Sequence, residues 1–188
     1  SPEVVLKYDI NDDVNVYAAF KTGFKSGGVD NNTLPTGTVL LLNSPDPAVA
    51  EAAASALRFD SETSIGGEIG IRSQLANRSL TLNATLFHYV FDDQQIQNFD
   101  VNIFNFRTFN AGETTTRGID IDWRWSTPLD GLNLSGAVSY LDAEFSDTFI
   151  SVNGLDLDGR DAARAPQWSG NVAIDWDIPL GDSLELGL

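Results

Sequence analysis

Strict alternation of apolar and polar side chains is the feature that most limits what this chain can fold into. Only a strand, whose side chains point to opposite faces with a period of two, turns such a pattern into one apolar and one polar surface. From Val14 to Lys25 one parity reads Val14, Val16, Ala18, Phe20, Thr22, Phe24 and the other Asn15, Tyr17, Ala19, Lys21, Gly23, Lys25. The split recurs at Ile65, Ile69, Ile71, Leu75 against Glu68, Arg72, Gln74, and at Leu80, Leu82, Ala84, Leu86 against Ser79, Thr81, Asn83, Thr85. It recurs again at Ile119, Ile121, Trp123, Trp125 against Asp120, Asp122, Arg124, Ser126. Leu132, Leu134, Val138, Tyr140 oppose Asn133, Ser135, Ala137, Ser139, and Val172, Ile174, Trp176, Ile178 oppose Asn171, Ala173, Asp175, Asp177. With shorter candidates at Val4 to Ile10 and Leu184 to Leu188, the pattern predicts eight strands, the last cut off at the terminus.

The connections alternate as well. Asn11 to Asp13, Ala76 to Arg78, Pro128 to Gly131 and Leu180 to Ser183 are short and built from turn-forming residues. Gly27 to Arg58, Gln97 to Phe104 and Thr148 to Arg164 are long. Short turns on one side and long loops on the other are the layout of an outer-membrane barrel, with tight periplasmic turns and extended extracellular loops. One helix is expected inside the first long loop, over Ala48 to Leu57, with Asp46 as N-cap and Pro47 at the first helical position.

A half-buried strand in a soluble sandwich also alternates, so the solvent on each face needs separate arguments. Strands of about 11 to 18 residues exceed the usual 5 or 6 and suit tilted bilayer crossings. Phe24, Tyr140, Trp168 and Trp176 sit on the apolar parity near strand ends, at the level of lipid headgroups. That parity is nearly free of charge, as expected where a Lys or Arg at the bilayer midplane costs roughly 2 to 4 kcal/mol. No run approaches the roughly 18 apolar residues of a membrane helix, the longest being Val39 to Leu42. The start, Ser-Pro-Glu-Val-Val-Leu-Lys-Tyr, has no secretory signal, and an open edge in hydrocarbon is costly. Further barrel strands are therefore expected before Ser1 and after Leu188.

Composition removes several classes of function. With no Cys, no Met and one histidine, thiol chemistry and thiolate metal sites are excluded, and no cofactor is expected. Eleven basic residues scattered among 27 acidic ones, net charge −16, argue against nucleic acid.

Four ordered stretches resemble the barrel of TonB-dependent receptors. The first is Ser1-Pro2-Glu3 with Leu6-Lys7-Tyr8-Asp9 and Val16-Tyr17-Ala18-Ala19-Phe20-Lys21-Thr22-Gly23-Phe24-Lys25-Ser26-Gly27-Gly28. The second is Glu68-Ile69-Gly70-Ile71-Arg72-Ser73 with Ala84-Thr85-Leu86-Phe87 and Asp93-Gln94. The third is Asn110-Ala111-Gly112-Glu113 with Arg117-Gly118-Ile119-Asp120-Ile121-Asp122, and the fourth Ala165-Pro166 entering the seventh strand. The resemblance implies about eight antiparallel strands of a barrel of about 22, a plug domain outside this sequence, and uptake driven by the TonB, ExbB and ExbD complex. The implied cargo is a small-molecule metal chelate or similar nutrient, most simply an iron-siderophore complex, and the surroundings are outer-membrane lipid.

Candidate chemistry is sparse. His88 falls on the apolar parity near an outer strand end, with no second His, Cys or Met to complete a metal site. Asp156, Asp158 and Asp161 around Gly159 miss the spacing of a calcium loop. Glu68, Arg72, Asp120, Asp122 and Arg124 are expected to form a structural polar network on the lumen wall. Gly66, Gly67 and Gly70 are followed by no helix, so they make no dinucleotide fingerprint, and no residue set supports catalysis. Ligand contacts are expected on extracellular loops, where Asn31, Asn32, Asn98, Phe99, Asn102, Phe104 and Asn105 offer amides and rings. Two other readings compete: a closed eight-stranded barrel serving as anchor or adhesin, and a soluble β-sandwich binding module.

Overall fold

The structure is a computed structural model, and it describes residues 1–30, 36–55, 57–100, 105–146, 156–181 and 184–187. Eight strands form one antiparallel meander: β1 (Glu3–Asn11), β2 (Val14–Lys25), β5 (Glu62–Leu75), β6 (Leu80–Asp92), β9 (Thr114–Ser126), β10 (Leu132–Phe145), β11 (Trp168–Gly181) and β12 (Leu184–Gly187). They are hydrogen-bonded in chain order, and β1 and β12 are the two edges. A closed eight-stranded barrel would pair those edges with each other, so the anchor reading loses its geometric basis. Two ribbons lie inside the long connections, β3 (Gly28–Val29) with β4 (Arg58–Phe59) and β7 (Gln95–Asp100) with β8 (Asn105–Asn110).

Register keeps all the apolar parities together. Val16 faces Ile71, Ile71 faces Ala84, Ala84 faces Ile121, Ile121 faces Val138, and Val138 faces Gly170. A slip of one residue in any pair would turn a whole strand's apolar set onto the polar side. No second layer covers the apolar side: among the described residues the buried apolar side chains are Ala19, Ala53, Ala111, Ala143 and Phe145. The chain exposes 12370 Å², against roughly 8,800 Å² for a compact monomer of this mass. A sandwich is thereby excluded, since its two inner faces would bury each other.

The short turns form one continuous rim. Asp13 N donates to Asn11 Oδ1 at 2.9 Å, and Gln74 N donates to Asp13 O at 2.8 Å. Arg78 Nε reaches Asp13 Oδ1 at 2.7 Å, and that hydrogen bond, with the charge behind it, holds the guanidinium above the usual arginine range. Ser126 N donates to Ser79 O at 2.8 Å, and Asp177 N to Gly131 O at 3.1 Å.

At the other end the structure departs from expectation in three ways. The strands run further than the alternation, β5 starting at Glu62, β9 at Thr114, and β10 ending at Phe145. There the ladder continues while the apolar parity turns polar, with Thr63, Arg117, Asp142 and Glu144, and Ala143 and Phe145 are buried on the opposite parity, so the pairing outruns the lipid-facing pattern. The first long loop carries two helices, α1 (Thr36–Leu42) and α2 (Pro47–Ser55). Helix α1 includes Gly37, Thr38 and Val39, poor helix formers that mask it in sequence. Helix α2 is capped as expected, Ala48 N donating to Asp46 Oδ1 at 2.9 Å, but it stops at Ser55, and Leu57 N turns back to Ala54 O at 3.2 Å. The connection expected over Gln97 to Phe104 begins on strand β7, which runs to Asp100, while 101–104 lie outside the described residues; Asn98, Phe99 and Asn105 lie on the two strands of the β7/β8 ribbon.

Candidate functional site

The apolar face is a belt whose edges can be traced through the register. Val172 shares one hydrogen-bonded row with Gly136, Trp123, Leu82, Ser73 and Val14. Val14 is the first apolar residue of β2, yet on β11 the apolar series runs on from Val172 for six residues to Ile178. At the opposite edge Trp168 shares a row with Tyr140, Ile119, Leu86, Ile69 and Ala18. On β2 the series continues six residues past Ala18, to Phe24. Both edges thus drift together by about 1.2 residues per strand step. With about 3.3 Å per residue and about 4.8 Å between strands, that drift is a tilt of about 40° to the belt normal. Ten residue steps from Val14 to Phe24 then give a belt about 25 Å tall, the height of the apolar band of a membrane barrel.

The belt's contents agree with lipid contact. Val172 is 70% exposed and Leu6 71%. Rings mark both edges: Phe24, Tyr140 and Trp168 on the long-loop side, Trp125 and Trp176 on the short-turn side. Tyr140 and Trp168 lean together with centroids 4.9 Å apart. The charges found on this parity fall at the belt edge or beyond it. Arg117 Nη2 binds Asp142 Oδ2 at 2.8 Å and lies 3.8 Å from Glu144, above Ile119 and Tyr140. His88 occupies the same row, between Gly67 and Arg117.

The opposite face is a polar wall. Lys21 Nζ donates to Glu68 Oε1 at 2.8 Å, and the Tyr89 hydroxyl donates to the same oxygen at 2.5 Å. Asn83 Nδ2 donates to Asp122 Oδ2 at 2.9 Å, and Ser139 Oγ donates to Asp120. Glu68, Asp120 and Asp122 therefore sit in the structural network expected of them. Arg72 and Arg124 do not join it: Arg72 lies over the Tyr17 ring, its Cζ 5.1 Å from the centroid, and no acid binds either guanidinium among the described residues.

Side chains at the root of the long connections bind two of them together, which the sequence reading missed. Asn110 Oδ1 accepts from Asp60 N at 2.7 Å, while its Nδ2 donates to Asp60 O at 3.1 Å and Asp93 O at 2.7 Å. Gln95 Nε2 donates to Ser26 O at 2.9 Å and Asp60 O at 3.0 Å. Asp30, 5% exposed, accepts from Thr108 N at 2.7 Å. The signal was present in Asn110-Ala111-Gly112, where Ala111 is fully buried and Gly112 holds a φ of 67°. Of the expected ligand contacts, Phe99 packs edge-on against Phe106 at 5.4 Å, whereas Asn31, Asn32, Asn102 and Phe104 lie outside the described residues. Asp158 N donates to Asp156 Oδ1 at 3.1 Å, the backbone of Asp161 pairs with that of Glu144 in an isolated antiparallel bridge, and no three metal-ligating side chains converge among the described residues.

A tilted lipid belt backed by a charged wall is the signature of a large barrel, and comparison with known proteins agrees. The family described as TonB dependent receptor-like, beta-barrel, matches residues 1–187. The chain belongs to that family. Proteins of this family are outer-membrane β-barrels, in which short turns face the periplasm and long loops the exterior. Among solved structures the chain is similar to the ferric yersiniabactin uptake receptor FyuA from Yersinia pestis, at 20% identity and a TM-score of 0.64, over 94% of this chain and 22% of that one. It is similar to BauA, the ferric preacinetobactin receptor from Acinetobacter baumannii, at 21% identity and 0.61, over 96% and 23%. The siderophore receptor PiuA, also from Acinetobacter baumannii, matches at 18% identity and 0.62, over 93% and 23%. At these identities the likeness concerns the fold, and the chain spans less than a quarter of each of these relatives.

Proposed function

We propose that these strands are one part of a receptor that carries a scarce nutrient, an iron-siderophore complex, across the outer membrane. The remaining strands and a plug domain complete it, and TonB with ExbB and ExbD supplies the energy through the plug. The observation that carries this reading is the pairing of a lipid belt of constant height with a wall of Lys21, Glu68, Arg72, Asp120 and Asp122 on the reverse of the same strands. A structural anchor has no need of a wet, charged interior, whereas a translocation path does. The siderophore class is favoured by the ferric and siderophore receptors to which the fold is similar.

The test is uptake by the complete receptor in cells starved of iron. Radioiron supplied as a panel of siderophore complexes should enter receptor-bearing cells for at least one complex, and entry should stop when TonB is deleted while surface binding persists. Import that continues without TonB, or a receptor that binds none of the panel, would overturn the assignment.

A further inference from the structure

We propose that Arg72, mounted on Tyr17 at the inner wall, is a carboxylate-binding site. The proposal rests on the reading of this face as the lumen wall. Tyr17, Gly70 and Thr85 share one hydrogen-bonded row across β2, β5 and β6. Because Gly70 has no side chain, the Tyr17 ring lies flat across β5 and its hydroxyl meets Thr85 Oγ1 at 2.9 Å. A Cβ at position 70 would stand 2.8 Å from that hydroxyl and closer still to the ring carbons. The ring, fixed at both ends, supports Arg72 two residues further along the same face, Cζ to centroid 5.1 Å.

This mounting holds the charge and leaves the donors free. Among the described residues no hydrogen bond or ion pair reaches the guanidinium, in a chain of net charge −16. The nearby acids are engaged elsewhere: Glu68 by Lys21 and Tyr89, Asp9 by Lys7 at 2.8 Å, and Asp122 by Asn83. Asn15, the cross-strand partner of Arg72, adds an amide on the same face. Together with Lys7, Lys21 and Glu68 these groups line a hollow of about 270 Å³. Five N–H donors in a planar fork match the two oxygens of a carboxylate, and stacking on an aromatic ring is a habit of arginine, not of lysine. With Lys21 set between Glu68 and Glu3 and Lys7 bound to Asp9, Arg72 is, among the described residues, the one unengaged cation of the hollow, which matches the single charge of a carboxylate better than a phosphate dianion. Its source is either a solute in transit or an acidic side chain of polypeptide inside the lumen.

Both sources are separable in the complete receptor, purified in detergent, with 4-fluorobenzoate as probe and its ¹⁹F linewidth as readout. For a solute site, saturable broadening should fall at least tenfold in Arg72→Gln and Gly70→Ala, fall several-fold in Arg72→Lys, and persist in Arg124→Gln, whose guanidinium stacks on no ring among the described residues. For an internal carboxylate, wild type gives no broadening, yet Arg72→Gln lowers the thermal midpoint by several degrees, Arg72→Lys restores part of it, and Arg124→Gln leaves it unchanged. If Arg72→Gln alters neither linewidth nor midpoint, or if Arg124→Gln reproduces its effects, the site does not exist. A change of gel mobility on boiling, recorded for every variant, reports the barrel separately: its loss in wild type would refute the lumen reading and not the site alone.

Discussion

Ala76, Asn77 and Arg78, in the turn between β5 and β6, all hold positive φ, at 51°, 55° and 67°. An L-residue there crowds its Cβ against the carbonyl, at roughly 1 to 2 kcal/mol, and Asn tolerates the conformation better than Ala. Ala76→Gly is therefore predicted to stabilise the folded receptor by about 1 kcal/mol, read as a higher urea midpoint, with Asn77→Gly gaining less. Side-chain facing gives a second prediction. Ile121→Arg, in the belt, should cost roughly 2 to 4 kcal/mol, while Ser135→Arg, on the polar wall, should cost under about 1 kcal/mol in the same unfolding assay. These facings were legible in the sequence because register conserves parity. The mount of Arg72 was not, since nothing in a linear pattern says that Gly70 leaves room for a ring arriving from β2.

Among the elements, the extracellular ends carry most of what the sequence concealed. Alternation reports a difference between lipid and water, and above the bilayer the parity that faces lipid turns polar on β5, β9 and β10 while Thr114, Ala143 and Phe145 are buried on or beside the other, so ladder and pattern part company. The β7/β8 ribbon was hidden in the same way, its Gln, Asn, Phe and Arg residues reading as loop. Helix α2, by contrast, was announced by Asp46 and Pro47, a local signal that needs no tertiary context. Asn110 ties the connection between β2 and β5 to that between β6 and β9 through two hydrogen bonds to Asp60, and a third, to Asp93 O, braces its own connection. Asn110→Ala is predicted to release them jointly, at a cost on the order of 1 to 3 kcal/mol locally. Hydrogen exchange should then speed up in β3, β4, β7 and β8 together and leave β10 and β11 unchanged. Faster exchange in only one of the two connections would show that they are not clasped.

On the scale of the molecule, the decisive quantity is the drift of the belt through the register. Eight strands whose apolar segments stayed level with their hydrogen-bonded rows would describe a flat sheet. A drift of about 1.2 residues per strand describes tilted strands wrapped around an axis, with the lipid belt held at one height. Eight strands and their facing could be read from the sequence, but the drift could not, because it depends on which residues pair across strands. Single cysteines, introduced at Val14, Val172 and Ile178 in an otherwise cysteine-free receptor and spin-labelled in bilayers, test this directly. The account predicts that all three labels meet lipid, with Val14 and Ile178 at matching depth and Val172 about 15 Å nearer the extracellular surface. Equal depth for Val14 and Val172, which share a hydrogen-bonded row, or a failure of any label to meet lipid, would contradict it.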